Sequence, residues 1–181
     1  MLTIQASQLL AQAQRDPRFY VLKPGTAVRI DATGIRDLQL QQQTIRALTN
    51  KLEAAGHSVG SGNVTFVATL EPGKEHEVSY STFGRPFDRG KTYKVPGWTY
   101  SLKIVADGKT HWITGAGNHP PPLIHLKQDE TIEEHLKQYG KPGADFFQHV
   151  QLPKYVARAQ TDQQTGSQSL RQSQVTAQGI R

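Results

Sequence analysis

Apolar and polar side chains alternate most clearly between residues 98 and 114. Before the pair Asp107-Gly108, apolar residues occupy every second position: Tyr100, Leu102, Ile104 and Ala106. After the pair, the stretch from His111 to Ile113 returns as a second strand. An Asp-Gly pair supplies the positive φ values that a two-residue turn requires. The pattern therefore predicts a β-hairpin that reverses at Asp107-Gly108.

Between Asp37 and Gly56 the apolar residues have helical spacing. They recur three or four positions apart, at Ile45, Leu48, Leu52 and Ala55. Asp37 is a suitable N-cap, and Gly56 stands where a left-handed residue often ends a helix. We predict a helix over residues 38–55, whose apolar face packs against a sheet.

Alternation also predicts a second hairpin, from the strand at 64–70, a turn at 71–74 and a strand at 78–82. Shorter strands are predicted at 19–22 and 27–32. The glycines and prolines of residues 83–97 predict a loop over most of that stretch.

Thr131 and Glu134 have capping-box spacing and predict a smaller C-terminal helix that ends near Gly140. The fold class predicted from all these elements is α+β. It has a largely antiparallel sheet of four to six strands, one main helix packed on a face and the smaller C-terminal helix.

Three regions follow from this pattern. Residues 1–18 are predicted to form an N-terminal helix or linker, because a helical stretch stops before Asp16-Pro17. Residues 19–156 form a single α+β domain. Residues 157–181 contain seven Gln and no aromatic residue, so they cannot bury enough apolar surface to offset the entropy of ordering, and we predict a disordered tail.

Composition narrows the function classes only moderately. The chain has 181 residues and a net charge of +6. It contains no cysteine, which excludes disulfides and thiolate sites. The positive charge is dispersed, so it is weak support for a dedicated nucleic-acid groove. No basic residue precedes Arg15, and no apolar run approaches the ~20 residues of a membrane span. We expect a soluble protein without a membrane span, cytoplasmic by default, whose oligomeric state is not predicted.

Five short motifs resemble one family. They are VLKPG at 21–25, LTNKLEAAG at 48–56, LEPG at 70–73, LKIVADGK at 102–109 and LP at 152–153. Together they are similar to an uncharacterised α+β domain found in the C-terminal parts of large planctomycete proteins, beside propeller-type or SH3-like modules. The resemblance covers residues 19–156. It implies an accessory, non-catalytic module and no functional residues.

The strongest candidate for a binding surface interleaves rings with cations over residues 83–94. Its members are Phe83, Arg85, Phe87, Arg89, Lys91, Tyr93 and Lys94. Bases stack on aromatic rings while cations meet phosphates, so this pattern is typical of a site for single-stranded nucleic acid or another polyanion. The alternative is that the rings pack on the sheet and the cations are solvated.

Candidates for catalysis are weaker. His111, His119 and His125 surround a proline run, and three imidazoles can hold zinc. However, His111 lies on a predicted strand, and the other two lie on a stiff extended segment with no nearby carboxylate. The glycine turn at residues 115–117 lacks the features of a phosphate cradle. We therefore predict no enzyme, no cofactor and no metal.

The predicted function is a non-catalytic interaction or structural module whose partner is a protein or a neighbouring domain. Exposed sheet edges can bind such a partner by strand addition. The first alternative is nucleic-acid or polyanion binding through residues 83–94. The second alternative is a histidine-based hydrolase.

Overall fold

The computed structural model describes residues 19–81, 90–126 and 130–158, with the backbone of 175–176 and 179–180. The strands are β1 (Tyr20–Leu22), β2 (Ala27–Gly34), β3 (Ser58–Val59), β4 (Val64–Pro72), β5 (His76–Tyr80), β6 (Lys91–Val95), β7 (Trp98–Ala106), β8 (Lys109–Gly117), β9 (Val156–Ala157), β10 (Val175–Thr176) and β11 (Gly179–Ile180). The helices are α1 (Leu38–Ala54), α2 (Ile132–Tyr139) and α3 (Asp145–His149).

Five strands form the central sheet, in the order β3-β2-β4-β7-β8. The longest strands, β4, β7 and β8, pair antiparallel, whereas β2 pairs parallel with β3 and β4. The chain crosses from β2 to β3 and β4 through α1, as parallel strands require. The predicted α+β class, with one main helix and smaller later helices, is confirmed.

Helix α1 follows its predicted bounds closely. The Asp37 carboxylate accepts a hydrogen bond of 2.8 Å from the Leu40 N–H, and Gly56 has a φ of +83°. Leu48 and Leu52 are fully buried against the sheet. Ile45, however, is 37% exposed, because the buried positions Leu40, Thr44, Leu48 and Leu52 define a stripe that leaves it at the side.

The hairpin of β7 and β8 reverses where predicted. Asp107 and Gly108 have φ values of +51° and +70°, the geometry of a two-residue turn that suits paired strands. The register shifts between Ile104 and Val105, because His111 is an extra residue in β8. This bulge lies near the turn and leaves the rest of β8 in regular pairing.

The predicted hairpin of residues 64–82 is wrong. Strand β4 pairs with β2 and β7, and β5 instead pairs with β6 in a separate ribbon. The predicted loop at 83–97 therefore contains a strand, β6. The chain does not turn at Gly73. The Gly73 N–H donates to the Gly97 carbonyl oxygen at 2.8 Å, so the pair of β4 and β7 leads directly into the pair of β5 and β6. A Cβ at Gly97 would lie 1.9 Å from the Lys74 oxygen, so this close approach requires glycine.

The capping box of α2 is present. The Thr131 side chain accepts from the Glu134 N–H, and the Glu134 carboxylate accepts from the Thr131 N–H. Leu136 is the buried residue of this helix. No helix of the described part is long and apolar enough to cross a membrane.

Two regional predictions lie largely outside the described residues. The whole of residues 1–18 falls there, and so does most of the tail. Within the tail, β10 and β11 form a small antiparallel pair. The predicted disorder of residues 157–181 stays a prediction.

Candidate binding edge and neighbouring cleft

The surface predicted at residues 83–94 is only partly described. Phe83, Arg85, Phe87 and Arg89 lie outside the described residues. Lys91, Tyr93 and Lys94 lie on β6, which pairs with β5 to form what we call the ribbon, residues 76–80 and 91–95. The structure therefore places three of the seven candidate residues on a regular strand.

Both described cations of this surface face carboxylates. Lys91 Nζ lies 2.5 Å from Glu133 Oε1 of α2, and Lys94 Nζ lies 3.4 Å from Glu75 Oε1 and 3.7 Å from Glu77 Oε1. The hydrogen bond from Lys91 lowers the pKa of Glu133, and the same bond raises the pKa of Lys91. Nearby negative charge reduces the attraction of these lysines for phosphate groups.

The ring of Tyr93 is half-buried in the ribbon. The centroids of the Tyr80 and Tyr93 rings lie 6.3 Å apart, and Lys91 Nζ lies 5.3 Å from the Tyr93 ring centroid. The Tyr80 hydroxyl donates to the Pro121 carbonyl oxygen at 2.6 Å. Burial, with Tyr139 nearby, raises the pKa of Tyr80. These contacts leave Tyr93 with only part of its ring available for stacking.

The three candidate histidines are not gathered into one site. His111 Nε2 lies 3.2 Å from the Ala106 carbonyl oxygen, near the hairpin turn. His119 lies beyond the other end of β8, where its ring centroid is 5.1 Å from that of His76. His125 is exposed further along the chain. Among the described residues no group of three or more metal-ligating side chains is assembled.

Strand β8 is the last strand of the central sheet, and its ladder with β7 shows which backbone groups point outward. The Asn118 N–H donates to the Trp98 carbonyl oxygen at 3.1 Å, and residue 118 extends the register in which Gly117 faces Thr99. Opposite residues of an antiparallel pair alternate between bonded and non-bonded. The N–H and C=O of Ile113, Gly115 and Gly117 therefore point away from β7.

We call residues 113–117 the open edge. Ile113 is 40% exposed, and Gly115, Ala116 and Gly117 are exposed as well. Within the described part of the chain, no hydrogen bond reaches the outward backbone groups of Ile113, Gly115 or Gly117. The open edge carries no charge and no proline, although natural sheet edges are commonly protected by both.

The other end of β8 is less accessible. The bulge at His111 interrupts the regular pairing there, and β9 contacts β8. The Arg158 guanidinium, just after β9, forms an ion pair with the Asp107 carboxylate at the hairpin turn. The accessible outward backbone groups of β8 are therefore those of residues 113–117.

A cleft of about 420 Å³ opens beside the end of the open edge. Its lining residues come from the sheet, the end of α2, the following loop and the start of α3: Tyr100, Ala116, Gly117, Asn118, Gln138, Tyr139, Lys141, Gly143, Asp145 and Phe146. The rings of Tyr100 and Phe146 lie 5.7 Å apart between centroids and are tilted by 34°. The cleft therefore has an aromatic floor next to an unpaired strand edge.

Three contacts hold the walls of the cleft in place. The Trp98 indole N–H donates to the Gly140 carbonyl oxygen at 2.8 Å, which anchors the end of α2 to β7. Phe147 of α3 is fully buried in the core, and its neighbour Phe146 packs against it with centroids 5.1 Å apart. The Gly143 N–H also donates to the Tyr100 hydroxyl oxygen at 3.3 Å.

Both signs of charge line the cleft. Lys141 and Asp145 come from the loop after α2 and the start of α3. In the described residues, neither side chain has an ion-pair partner within 4.0 Å. The cleft thus combines aromatic surface with one cation and one carboxylate that are available to an incoming group.

Comparisons with known proteins leave this site to be judged on its geometry. No family model matches the chain, and no curated protein matches it. The resemblance to the planctomycete accessory domain stays a prediction.

The sequence predicts strand addition as one possibility but does not locate the edge. A glycine turn is predicted at Gly115-Ala116-Gly117, whereas these residues complete β8. The available signal was the uncharged run from Trp112 to Gly117 that continues a predicted strand. Its significance depends on β8 being the outermost strand, which is a property of the whole sheet.

Proposed function

We propose that this chain is a non-catalytic interaction module that binds an extended segment of a partner polypeptide as an additional strand at the open edge. The observation that carries the proposal is the set of outward backbone groups at Ile113, Gly115 and Gly117. They are exposed, and in the described residues they have no hydrogen-bond partner.

An extended polypeptide matches these groups in spacing and chemistry. Alternate residues of a strand lie about 6.6–6.8 Å apart and present N–H and C=O to the same side. Three such residues can exchange six hydrogen bonds with an added strand, each worth roughly 0.5–1.5 kcal/mol net. Part of that gain is offset by ordering the segment, so the expected interaction is specific in geometry and moderate in affinity.

Charge supports a polypeptide over a polyanion. The open edge carries no charge, and the described cations of the ribbon, Lys91 and Lys94, face carboxylates. The polyanion alternative depends largely on Arg85 and Arg89, outside the described residues, and has its own test in the Discussion.

The positions of the candidate histidines give the hydrolase alternative less support than strand addition. The hydrolase alternative would need two or more of His111, His119 and His125 together beside a carboxylate. His111 and His119 lie at opposite ends of β8, and His125 is exposed further along the chain.

Strand addition is tested with a phage-displayed library of random nonapeptides panned on the folded chain, after which selected peptides are synthesised and titrated by fluorescence anisotropy. The key variant is Ile113→Pro, which removes an outward N–H. Ile113→Ala is the matched control, because it shortens the same side chain and keeps the N–H. We expect at least about a tenfold loss of affinity for the proline variant and less than about twofold for alanine.

A second variant guards against misfolding. Gly117→Pro removes another outward N–H, and a Cβ there meets no atom nearer than 3.6 Å. Thermal melts establish that both variants fold. Equal affinities for Ile113→Pro, Gly117→Pro and the unchanged chain would overturn the proposal, as would a failure to enrich any peptide over Ile113→Pro. A dimer that both proline variants abolish in sedimentation would support edge pairing, with a second copy as the partner.

A further inference from the structure

We infer that the cleft is the specificity pocket of the open edge, and that it receives one aromatic side chain of the added strand, from the residue beside Ala116. The inference rests on the proposed function, because it needs a strand at the open edge to bring that side chain into place.

The register of the sheet determines which residue enters the cleft. Ala116 pairs with Tyr100, so its side chain lies on the same face as the buried Tyr100 ring. Residues beside one another on neighbouring strands share a face. The residue next to Ala116 therefore points toward the cleft, while the residues next to Gly115 and Gly117 point to the opposite face.

Trp112 and Ala116, at the two ends of this face of β8, differ in how much space their side chains fill. Trp112 pairs with Ile104 on the same face and packs against the core with its own ring. At Ala116 the side chain is a single methyl group, and the cleft opens beside it. The Trp112 ring covers the core at its own position, whereas at Ala116 a large side chain from an added strand can do so.

The lining favours an aromatic side chain over a charged one. Tyr100 and Phe146 offer ring surface that is suited to edge-to-face or offset ring contacts. Lys141 can contact the face of a further ring. Lys141 and Asp145 place both signs of charge in the lining, so an entering carboxylate or ammonium meets one attractive and one repulsive charge, whereas a neutral ring loses nothing to either. The volume of about 420 Å³ lies toward the lower end of ligand pockets and accommodates one large side chain.

The experiment uses the synthetic peptide that binds best in the nonapeptide selection. Each of its positions is replaced in turn by Phe, Tyr, Leu, Ala, Glu and Lys, and each peptide is titrated against the unchanged chain and against Ala116→Leu, which fills the mouth of the cleft. We expect one position to prefer Phe or Tyr over Ala by about 10-fold or more. On Ala116→Leu that preference should fall below about twofold.

Two further variants separate the cleft from the edge. Lys103→Ala alters a side chain of β7 on the opposite face of the sheet, outside the open edge, so the aromatic preference should persist. Phe146→Leu removes a ring but keeps apolar bulk, so the preference should decrease by about threefold while the peptide still binds.

The outcomes distinguish this inference from the proposed function. If Ile113→Pro abolishes binding but no position prefers an aromatic residue, or Ala116→Leu leaves that preference intact, the inference is wrong and strand addition stands. If binding is indifferent to Ile113→Pro, strand addition fails and the inference fails with it. Strong preference for Glu or Lys at the sensitive position would also overturn the aromatic assignment.

Discussion

The ribbon and the open edge differ in how far their hydrogen-bonding and charged groups are already satisfied. In the ribbon, β5 and β6 pair with each other, Lys91 and Lys94 face carboxylates, and the Tyr80 hydroxyl donates to Pro121. At the open edge, three residues present backbone groups with no partner in the described residues. The ribbon has the rings and cations, and the open edge has the backbone N–H and C=O groups without a partner among the described residues.

This difference shows why side-chain composition is a limited guide to a binding surface. Cations and rings are visible in a sequence, but their availability depends on neighbours that the sequence places far away, such as Glu133 for Lys91. Backbone groups are present at every residue, and only their place in the sheet decides whether they are paired.

The largest expected effect is a difference in the free energy of unfolding between two proline substitutions one residue apart. Thr114 pairs with Leu102 in the bonded position of the ladder, so Thr114→Pro removes an internal hydrogen bond and forces β8 away from β7. We expect a loss of about 3 kcal/mol in the free energy of unfolding. Ile113→Pro, whose N–H points outward, should cost less than about 1 kcal/mol. Urea titrations measure both, and equal losses would show that the outward assignment is wrong.

A change of pH should loosen the ribbon side of the molecule before the open edge. Hydrogen bonds from the Thr131 N–H and hydroxyl lower the pKa of Glu134, and the bond from Lys91 lowers that of Glu133. Because these folded-state pKa values lie below the usual value, the stabilisation is fully present above the usual pKa and is lost as pH falls from there through the folded-state pKa. We expect the protection factors of α2 amides, in which the intrinsic pH dependence of exchange is divided out, to decrease as pH falls from about 5 to 3, while those of β7 stay unchanged.

The matched control for this pH effect is Glu134→Gln. Glutamine can complete a capping box but does not titrate, so α2 should keep its cap and lose part of the pH dependence. An unchanged pH profile in this variant would mean that Glu134 does not control the stability of α2.

The smallest expected effect concerns polyanions. We expect weak binding of single-stranded DNA, which Glu133→Gln strengthens by about two- to fivefold because it removes the carboxylate that faces Lys91. Fluorescence anisotropy at two salt concentrations measures this change. Tight, salt-dependent binding that collapses when Arg85, Arg89 and Lys91 become alanine would instead support the polyanion alternative and reverse the ranking of the two surfaces.

Most local elements were predictable because their signals lie within a few residues. The turn at Asp107-Gly108, the cap at Asp37 and the capping box of α2 each depend on neighbouring positions. The error at residues 64–82 has the opposite origin. Glycine and proline at 72–73 indicated a turn, but β4 finds its partner in β7, some thirty residues later in the chain.

The sequence could predict the mode of binding at the candidate site but not its position. Strand addition at some sheet edge follows from an antiparallel sheet in general. The particular edge and the cleft beside it require the strand order, the end of α2 and the position of α3. No local pattern in Gly115-Ala116-Gly117 distinguishes an outer strand from a turn.

By itself, the sequence determined which segments bury one face and where several of them reverse or end, since burial periodicity, caps and tight turns are set by residues close together. The tertiary structure alone decided that β8 lies outermost, that the ribbon's cations face carboxylates, and that a cleft opens at Ala116. These features depend on contacts between segments distant in the chain, and no short-range rule specifies which partner a strand will find.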